Sequence, residues 1–342
     1  MGNVNCAENP VALEQESAYT VSKGDPHVLY HSFGRTGLEI SAISLGTGGP
    51  SRIGQRTHAN EAESHRVIHR ALDLGINFLD TAAAYDASEE ILGRALKTID
   101  RQRYYLATKF TPDPEERGEL IDPAALVASC ERSLQRLQTD VIDLFQFHGL
   151  VPSNYHEAVE RLYPTVQQLQ QQGKIRFIGV TEYFYVDPSH EMLGFALDDD
   201  IWDALMVKYG ILNMTAEEDI LPRAEQQNVG VINMSPVRVK LTRSDQLEEI
   251  IARWKADGHL EDDALPEKSP LDFLVRGDVR SVVDAGYRFG ANHDAVSTVL
   301  IGTGNIDHLE QNIASVLGPG LPSDDLLRLR QLFGGIAQSE RE

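Results

Sequence analysis

Cysteine is nearly missing from this chain: 342 residues contain two, Cys6 and Cys130. Neither stands in a Cys-x-x-Cys pair, so a disulfide framework is excluded. Positive charge is also scarce. Lys plus Arg number 31 against 52 Asp plus Glu, a formal charge of −21. Such a field repels phosphate backbones and anionic lipid, and no basic stripe opposes it, which argues against nucleic-acid partners. No run of about 18 apolar residues exists, so no membrane-spanning helix and no membrane partner are expected. The opening MGNVNCAENPVALEQES has neither the basic start nor the apolar stretch of a signal peptide. A cytoplasmic protein is the expectation. Two nucleotide-binding signatures are missing as well. The Gly-rich turns read GTGGPS (46–51) and GTGNID (302–307), which fit neither G-x-G-x-x-G nor GxxxxGK[ST].

What is present is a globular composition, 42% hydrophobic and 24% charged. Residues 1–27 mix polar, Gly and Pro residues without periodicity and read as a flexible or surface-draped extension. Two short apolar runs then flank Gly34-Arg35-Thr36-Gly37, the pattern of a β-hairpin. Beyond it the chain alternates. Buried-strand runs fall at 42–45, 76–79, 105–108, 144–147, 177–180, 204–207, 229–234 and 298–301. Helical patterns fall between them at 60–74, 88–99, 123–137, 157–172, 216–226 and 247–255. Gly75 is placed to end the first helix, and Ser88 to cap the second. Eight strands alternating with helices predict a closed parallel (β/α)₈ barrel over 28–317, with a C-terminal helix and tail over 318–342. Two long stretches, 183–200 and 256–280, interrupt the rhythm as connections suited to the active face, although Glu261-Asp262-Asp263 within the second reads as solvated.

Barrel chemistry sits just past the C-terminal strand ends. Those positions hold Asp80, Lys109 and His148 on three successive strands, with Tyr85 in the loop after Asp80. A buried aspartate and a buried lysine are costly unless paired, and pairing leaves an ammonium beside the tyrosine. A neighbouring cation favours phenolate, which equips Tyr85 to give or take a proton. His148 is then positioned to hydrogen-bond a substrate oxygen or relay the proton. This is equipment for interconverting a carbonyl and an alcohol, with hydride carried by a bound cofactor.

On these residues the chain resembles the aldo-keto reductase family. GINFLDTAAAYDASEEILGRAL (75–96), LATKF (106–110), LQRLQTDVIDLFQFHG (134–149) and GKIRFIGVTEYF (173–184) are similar to its successive strand signatures, and SFGRTGLEISAISLGTG to its barrel-bottom plug. The resemblance implies a NAD or NADP cofactor and the catalytic set Asp80, Tyr85, Lys109 and His148. It places Thr47 and Asp80 by the nicotinamide ribose and Thr181 at the serine that holds the carboxamide. Glu182 stands where the family carries Asn, and Met206 near its sixth-strand Gln. Ser235, Pro236, Val237 and Lys240 fall on its pyrophosphate-binding stretch, without the family's aromatic residue. Gly302, Thr303 and Gly304 offer backbone N–H groups to an adenosine phosphate, and Gln311 and Asn312 match the adenine-contacting pair. His308 occupies the place of an Arg that grips the 2′-phosphate, which tilts the expectation toward NAD unless Arg238 or Lys240 substitutes.

Residues 206–236 resemble the aldose and L-galactose dehydrogenase branch, which makes NAD-dependent sugar oxidation to a lactone an alternative to carbonyl reduction. The partner is then a small carbonyl compound or a sugar. A nicotinamide-binding sensor or scaffold with slow turnover is the alternative of another class. Trp202, Trp254, Phe273 and Tyr183 to Tyr185 are candidates for the substrate pocket, with core packing as the competing reading. His65 and His69, spaced four apart on one helix, lack the intervening Glu of a metal-binding pair, and no metal is expected there.

Overall fold

The computed structural model describes residues 28–57, 59–114, 118–237 and 239–337. The extension 1–27, with Cys6, and Arg238 lie outside them. A short hairpin comes first. Strand β1 (Tyr30–Ser32) pairs antiparallel with β2 (Glu39–Ser41) around a single 3₁₀ turn closed by Gly37 at φ +68°. Eight parallel strands then close on themselves: β3 (Ile43–Gly46), β4 (Phe78–Asp80), β5 (Tyr105–Phe110), β6 (Ile142–Leu150), β7 (Ile175–Glu182), β8 (Ala204–Lys208), β9 (Gly230–Met234) and β10 (Thr298–Gly302), with β10 against β3. Around them run α1 (Glu61–Asp73), α2 (Ser88–Leu96), α3 (Pro123–Leu137), α4 (Pro152–Gln171), α5 (Glu191–Asp199), α6 (Ile220–Gln226), α7 (Val239–Thr242), α8 (Ser244–Ala256), α9 (Val282–Ala291), α10 (Ile306–Val316) and α11 (Ser323–Phe333). The (β/α)₈ barrel with its hairpin is therefore observed.

The period-2 alternation of strands divides the apolar residues into two cores. Phe145 and Phe147 of β6 face the helices, while Leu144 joins Phe78, Tyr105, Ala107, Ala204, Met206 and Ile232 inside the barrel. The hairpin closes the lower end of that interior. Phe33 is fully buried there, edge-on to Phe78 with ring centroids 5.5 Å apart. Gly34 lies so close to β9 that an added Cβ would sit 2.3 Å from the Gly230 nitrogen. Arg35 fastens the turn, its guanidinium donating to Asp200 at 2.5 Å and to the Gln227 carbonyl at 2.7 Å.

Several expected boundaries move. Helix α2 begins at Ser88 with Ala87 as its cap residue, so Ser88 is not the cap. Gln55, from the loop after β3, receives the Ala87 N–H instead and donates to the Ser88 hydroxyl. The stretch 183–200 contains helix α5. Its apolar residues Met192, Leu193, Ala196 and Leu197 share one buried face, and Asp187 accepts the Glu191 and Met192 N–H groups at its start. Pro188 and Gly194 hide that helix from a periodicity reading. The stretch 256–280 is held down by Leu260, Leu265, Leu271 and Leu274, all buried, while Glu261-Asp262-Asp263 is exposed. Lys255 binds the Asp262 and Leu265 carbonyls within it. No described helix is long and apolar enough to cross a membrane.

Phe33→Ala removes the plug's central ring from a closed site. Large aromatic truncations of this kind cost roughly 3–5 kcal/mol, and urea unfolding of the variant is expected to show a loss of that order. A change below about 1 kcal/mol would mean that the barrel floor does not depend on Phe33.

Candidate active site

Strand register builds the site. β4 pairs with β5 so that Asp80 stands opposite Ala107, and β5 pairs with β6 so that Lys109 stands opposite Gln146. Asp80, Lys109, Gln146 and His148 all point inward at the upper end of the barrel. Lys109 Nζ donates to Asp80 Oδ2 at 2.5 Å and to the Thr81 carbonyl at 2.9 Å, and both side chains are sealed from solvent. Gln146 Nε2 reaches the other Asp80 oxygen at 3.3 Å. Burial pushes the Asp80 carboxyl upward, against the pull of the Lys109 ammonium. For Lys109, burial acts downward, but Asp80 and Tyr85 prevail and raise it above the ordinary lysine range.

Tyr85 lies over this pair, its ring centroid 5.1 Å from Lys109 Nζ. Its hydroxyl is 3.5 Å from His148 Nε2, and the two rings meet edge to face. The opposing loop makes room for the tyrosine with a glycine: a Cβ on Gly48 would come 2.6 Å from Tyr85 Cε2. His148 is pushed down to about 3 by burial first, then by Lys109 and Arg52. Its imidazole is therefore neutral at physiological pH and carries one N–H to donate.

A groove of about 1500 Å³ runs from Asp80 and Tyr85 across Met206, Met234, Ser235, Pro236 and Val237, past Gly302, Thr303 and Gly304, to His308, Gln311 and Asn312. Helix α10 opens onto it, with Asn305 accepting the His308 N–H as its cap. Twelve of the residues picked from sequence thus line one continuous cleft.

Others are placed differently. Thr47 is fully buried behind the cleft, its hydroxyl donating to Thr81 at 2.8 Å. Thr181 accepts the Gly149 N–H at 2.8 Å. Glu182, one residue on, faces away from the barrel interior by strand alternation. It binds His190 Nδ1 at 2.6 Å and accepts the Lys208 N–H at 2.7 Å. Burial alone would depress His190, but Glu182 prevails and raises it. Glu182 is thus tied into the start of α5 and is not a wall of the cleft. Lys240 is not among the cleft-lining residues.

The proposed aromatic pocket residues are also mostly core. Trp202 is buried against Phe147 and Tyr163 and donates to the Tyr155 hydroxyl, Trp254 packs on Phe333, and Phe273 lies under Arg328. Phe184 and Tyr185 pack near the Lys208 ammonium and do not line the cleft. His69 Nε2 is bound to the Ala95 carbonyl at 2.7 Å, and no metal-binding cluster occurs among the described residues.

Four contributors escaped the sequence reading. Gln146 carried a usable signal, since it lies two residues before His148 and therefore on the same strand face. Arg66 and Arg243 line the cleft and reverse the impression that it lacks cations. Arg52 stands over the Tyr85 ring at 4.4 Å. For these three arginines the placement depends on loops and helix docking, and no local pattern encodes it.

The depressed His148 makes stability depend on acid. The unfolded histidine takes a proton near its ordinary value, about 6.5, whereas the folded one resists to about 3. Its contribution is thus complete above pH 6.5 and is lost as pH falls toward 3. Between pH 6.5 and 5 urea titrations of the native chain are expected to lose roughly 1–2 kcal/mol that His148→Gln does not lose. Parallel pH profiles for the two proteins would show that His148 is not held neutral.

The pattern of the aldo/keto reductase family matches residues 42–332. L-Galactose dehydrogenase of Arabidopsis thaliana is 28% identical over 298 residues, covering 83% of this chain and 87% of that protein. An uncharacterized oxidoreductase of Bacillus subtilis is 28% identical over 313 residues, covering 87% and 94%. Among solved structures, an aldo-keto reductase from Bacillus halodurans in its holo form superposes with TM-score 0.67 at 25% identity, over 92% of this chain and 98% of that one. With most of its length matched and the closed barrel in place, the chain belongs to the aldo/keto reductase family and is an oxidoreductase.

Proposed function

We propose that the cleft binds a nicotinamide dinucleotide and that the chain interconverts a small carbonyl compound and its alcohol, with Tyr85 as general acid and base. The observation that carries this reading is the sealed Asp80–Lys109 pair directly beneath Tyr85, at one end of a long cleft. The cleft suits a dinucleotide. Its volume of about 1500 Å³ exceeds that of ordinary small-ligand pockets, roughly 300–1000 Å³. Glycines 302 and 304 bare their backbone at the start of α10, where anions are stabilised. Met206 and Met234 give polarizable apolar surface in the same cleft as Tyr85, suited to a planar ring. The Thr181 hydroxyl accepts from Gly149 and keeps its own proton to offer a carboxamide.

The bound nicotinamide supplies or receives the hydride. Tyr85 supplies the proton to the carbonyl oxygen or removes it from the alcohol. The Lys109 ammonium, held charged by Asp80, stabilises the phenolate that forms when the proton leaves. Neutral His148 donates its N–H to the same substrate oxygen and orients it. Glu182 and Lys240 have no part in cofactor binding in this reading. Oxidation of an aldose is the second reading, favoured by the likeness to L-galactose dehydrogenase, and it uses the same residues in reverse.

Tyr85→Phe is expected to lower both carbonyl reduction and alcohol oxidation by about 10²–10⁴-fold while nicotinamide binding, followed by fluorescence, persists. Near-native turnover in that variant would remove Tyr85 from the chemistry. Comparing aldehydes with aldoses, and both cofactors, separates the two readings. Arg66 and Arg243 further suit a 2′-phosphate, so Arg66→Ala with Arg243→Ala is expected to weaken NADPH binding about 10- to 100-fold and to spare NADH. Equal loss for both cofactors, or none, would restore the preference for NAD.

A further inference from the structure

The loop after β3 carries an arginine that the proposed chemistry does not use. Arg52 projects over the Tyr85 ring, its guanidinium carbon 4.4 Å from the ring centre. Its Nε and Nη1 are shut off from bulk solvent and have no hydrogen-bond partner among the described residues. The nearest carboxylate, Asp86, lies 3.7 Å from Nε, beyond hydrogen-bond range, and is itself more than half exposed and shared with Arg56. Lys109 is held in direct contact with Asp80 at 2.5 Å, whereas Arg52 has only this looser pairing, shared with Arg56. Two buried N–H-bearing nitrogens with no acceptor cost free energy that an incoming oxyanion can recover.

The loop is built to hold this side chain where it is. Arg52 and Ile53 both adopt left-handed backbone, at φ +47° and +51°, a conformation that non-glycine residues take at a cost. Three contacts offset it. Ile53 is fully buried in the core, its carbonyl accepts the Ser64 hydroxyl at 2.7 Å, and Gln55 ties the Arg52 carbonyl to the start of α2. Ser51 and Thr57 of the same loop line the dinucleotide cleft, but Arg52 does not. Its guanidinium lies against the Tyr85 ring and close enough to His148 to act on it, so it borders the reacting end of the cleft.

We propose that Arg52 is a substrate-binding residue that selects carbonyl compounds bearing an anionic group, a carboxylate or a phosphate, a short distance from the reacting carbon. This rests on the assignment of Tyr85 and His148 above. The anion accepts from N–H groups along the edge of the guanidinium while the carbonyl oxygen meets Tyr85 and His148, which fixes the substrate at both ends. A neutral aldehyde of the same length satisfies one end and leaves the guanidinium unpaired.

The test compares kcat/KM for succinate semialdehyde against butanal, and for glyceraldehyde phosphate against glyceraldehyde, in the native chain, Arg52→Gln, Arg52→Lys and Arg56→Gln. The native chain is expected to favour the anionic member of at least one pair, and which pair distinguishes carboxylate from phosphate. Arg52→Gln should reduce that preference about 10- to 100-fold, and Arg52→Lys, which keeps the charge but not the fork, by less. Arg56→Gln should leave the preference intact. Calorimetry of succinate semialdehyde binding to the NADP⁺-loaded protein gives a readout independent of turnover, so a chain that binds it through Arg52 but reduces nothing refutes the proposed reaction and not this site. Equal loss for charged and neutral members in Arg52→Gln, or no anionic preference in the native chain, would overturn the proposal. If Arg52→Gln fails to fold, Arg52→Lys decides between the same outcomes.

Discussion

The ion pair between Asp80 and Lys109 is the constraint around which the upper half of this barrel is organised. Each charge is wholly removed from water, and that removal costs several kcal/mol per ion unless the geometry returns it. Here the return comes from the direct contact, from the Thr81 carbonyl on the ammonium and from Gln146 on the carboxylate. None of these survives a shift in strand pairing, because a one-residue slip would turn Lys109 or Gln146 outward. The pair therefore fixes the register of three adjacent strands, β4 to β6. The turn from Thr81 to Tyr85 starts from the same point: Thr81 N–H and Ala83 N–H donate to the Ala107 and Lys109 carbonyls. Tyr85 arrives over the ammonium as a consequence of that register.

Alternation along the strands also explains why the lower and upper interiors differ so sharply. On β5 the inward series is Tyr105, Ala107, Lys109, and on β6 it is Leu144, Gln146, His148. Each series passes from apolar to polar in the upward direction. The lower layers pack against Phe33 and are apolar, while the upper layer pairs Asp80 with Lys109 and Gln146 and opens into the cleft. The same parity accounts for the pair Thr181 and Glu182. The first faces the interior and the second faces α5, where His190 meets it. The buried Glu182 carboxylate is accommodated there by the His190 ring and the Lys208 N–H, and Glu182 in turn raises the His190 pKa.

This division also governs how much was legible in the sequence. Strand identity, strand order and the four residues at the strand ends and following loop can be read because period-2 alternation and burial are local signals, and a lysine and an aspartate at the ends of successive buried strands admit few explanations. The hairpin is legible from Gly34 to Gly37 for a similar reason. Helix α5 is not, because Pro188 and Gly194 break its pattern while Asp187 supplies the start that the helix needs. The capping of α2 by Gln55 links residues over 30 positions apart, and no local rule anticipates it. Trp202 and Trp254 invite a pocket reading by their chemistry alone, and only packing reveals them as core. The placement of Arg52, Arg66 and Arg243 depends on how loops and helices dock, which lies beyond any local pattern.

Those arginines bear on what the acidic composition means. A formal charge of −21 describes the far field, which sets long-range encounters and solubility. Within a cleft the relevant distance is shorter than the Debye length of roughly 8 Å at physiological salt, so the nearest groups set the potential. Around Tyr85 those groups are Lys109, in direct contact with Asp80, and Arg52, more loosely paired with Asp86; along the cleft they are Arg66 and Arg243 with Glu63 and Asp307. His148 responds to this local potential, since Lys109 and Arg52 both act to keep it unprotonated. A strongly acidic surface and an anion-attracting site are therefore compatible in one molecule. The outer charge repels long polyanions, whose many phosphates sample the whole field. A small anion that enters the cleft is exchanged from that field to the one set by a few fixed cations, so size and sign together determine what can bind.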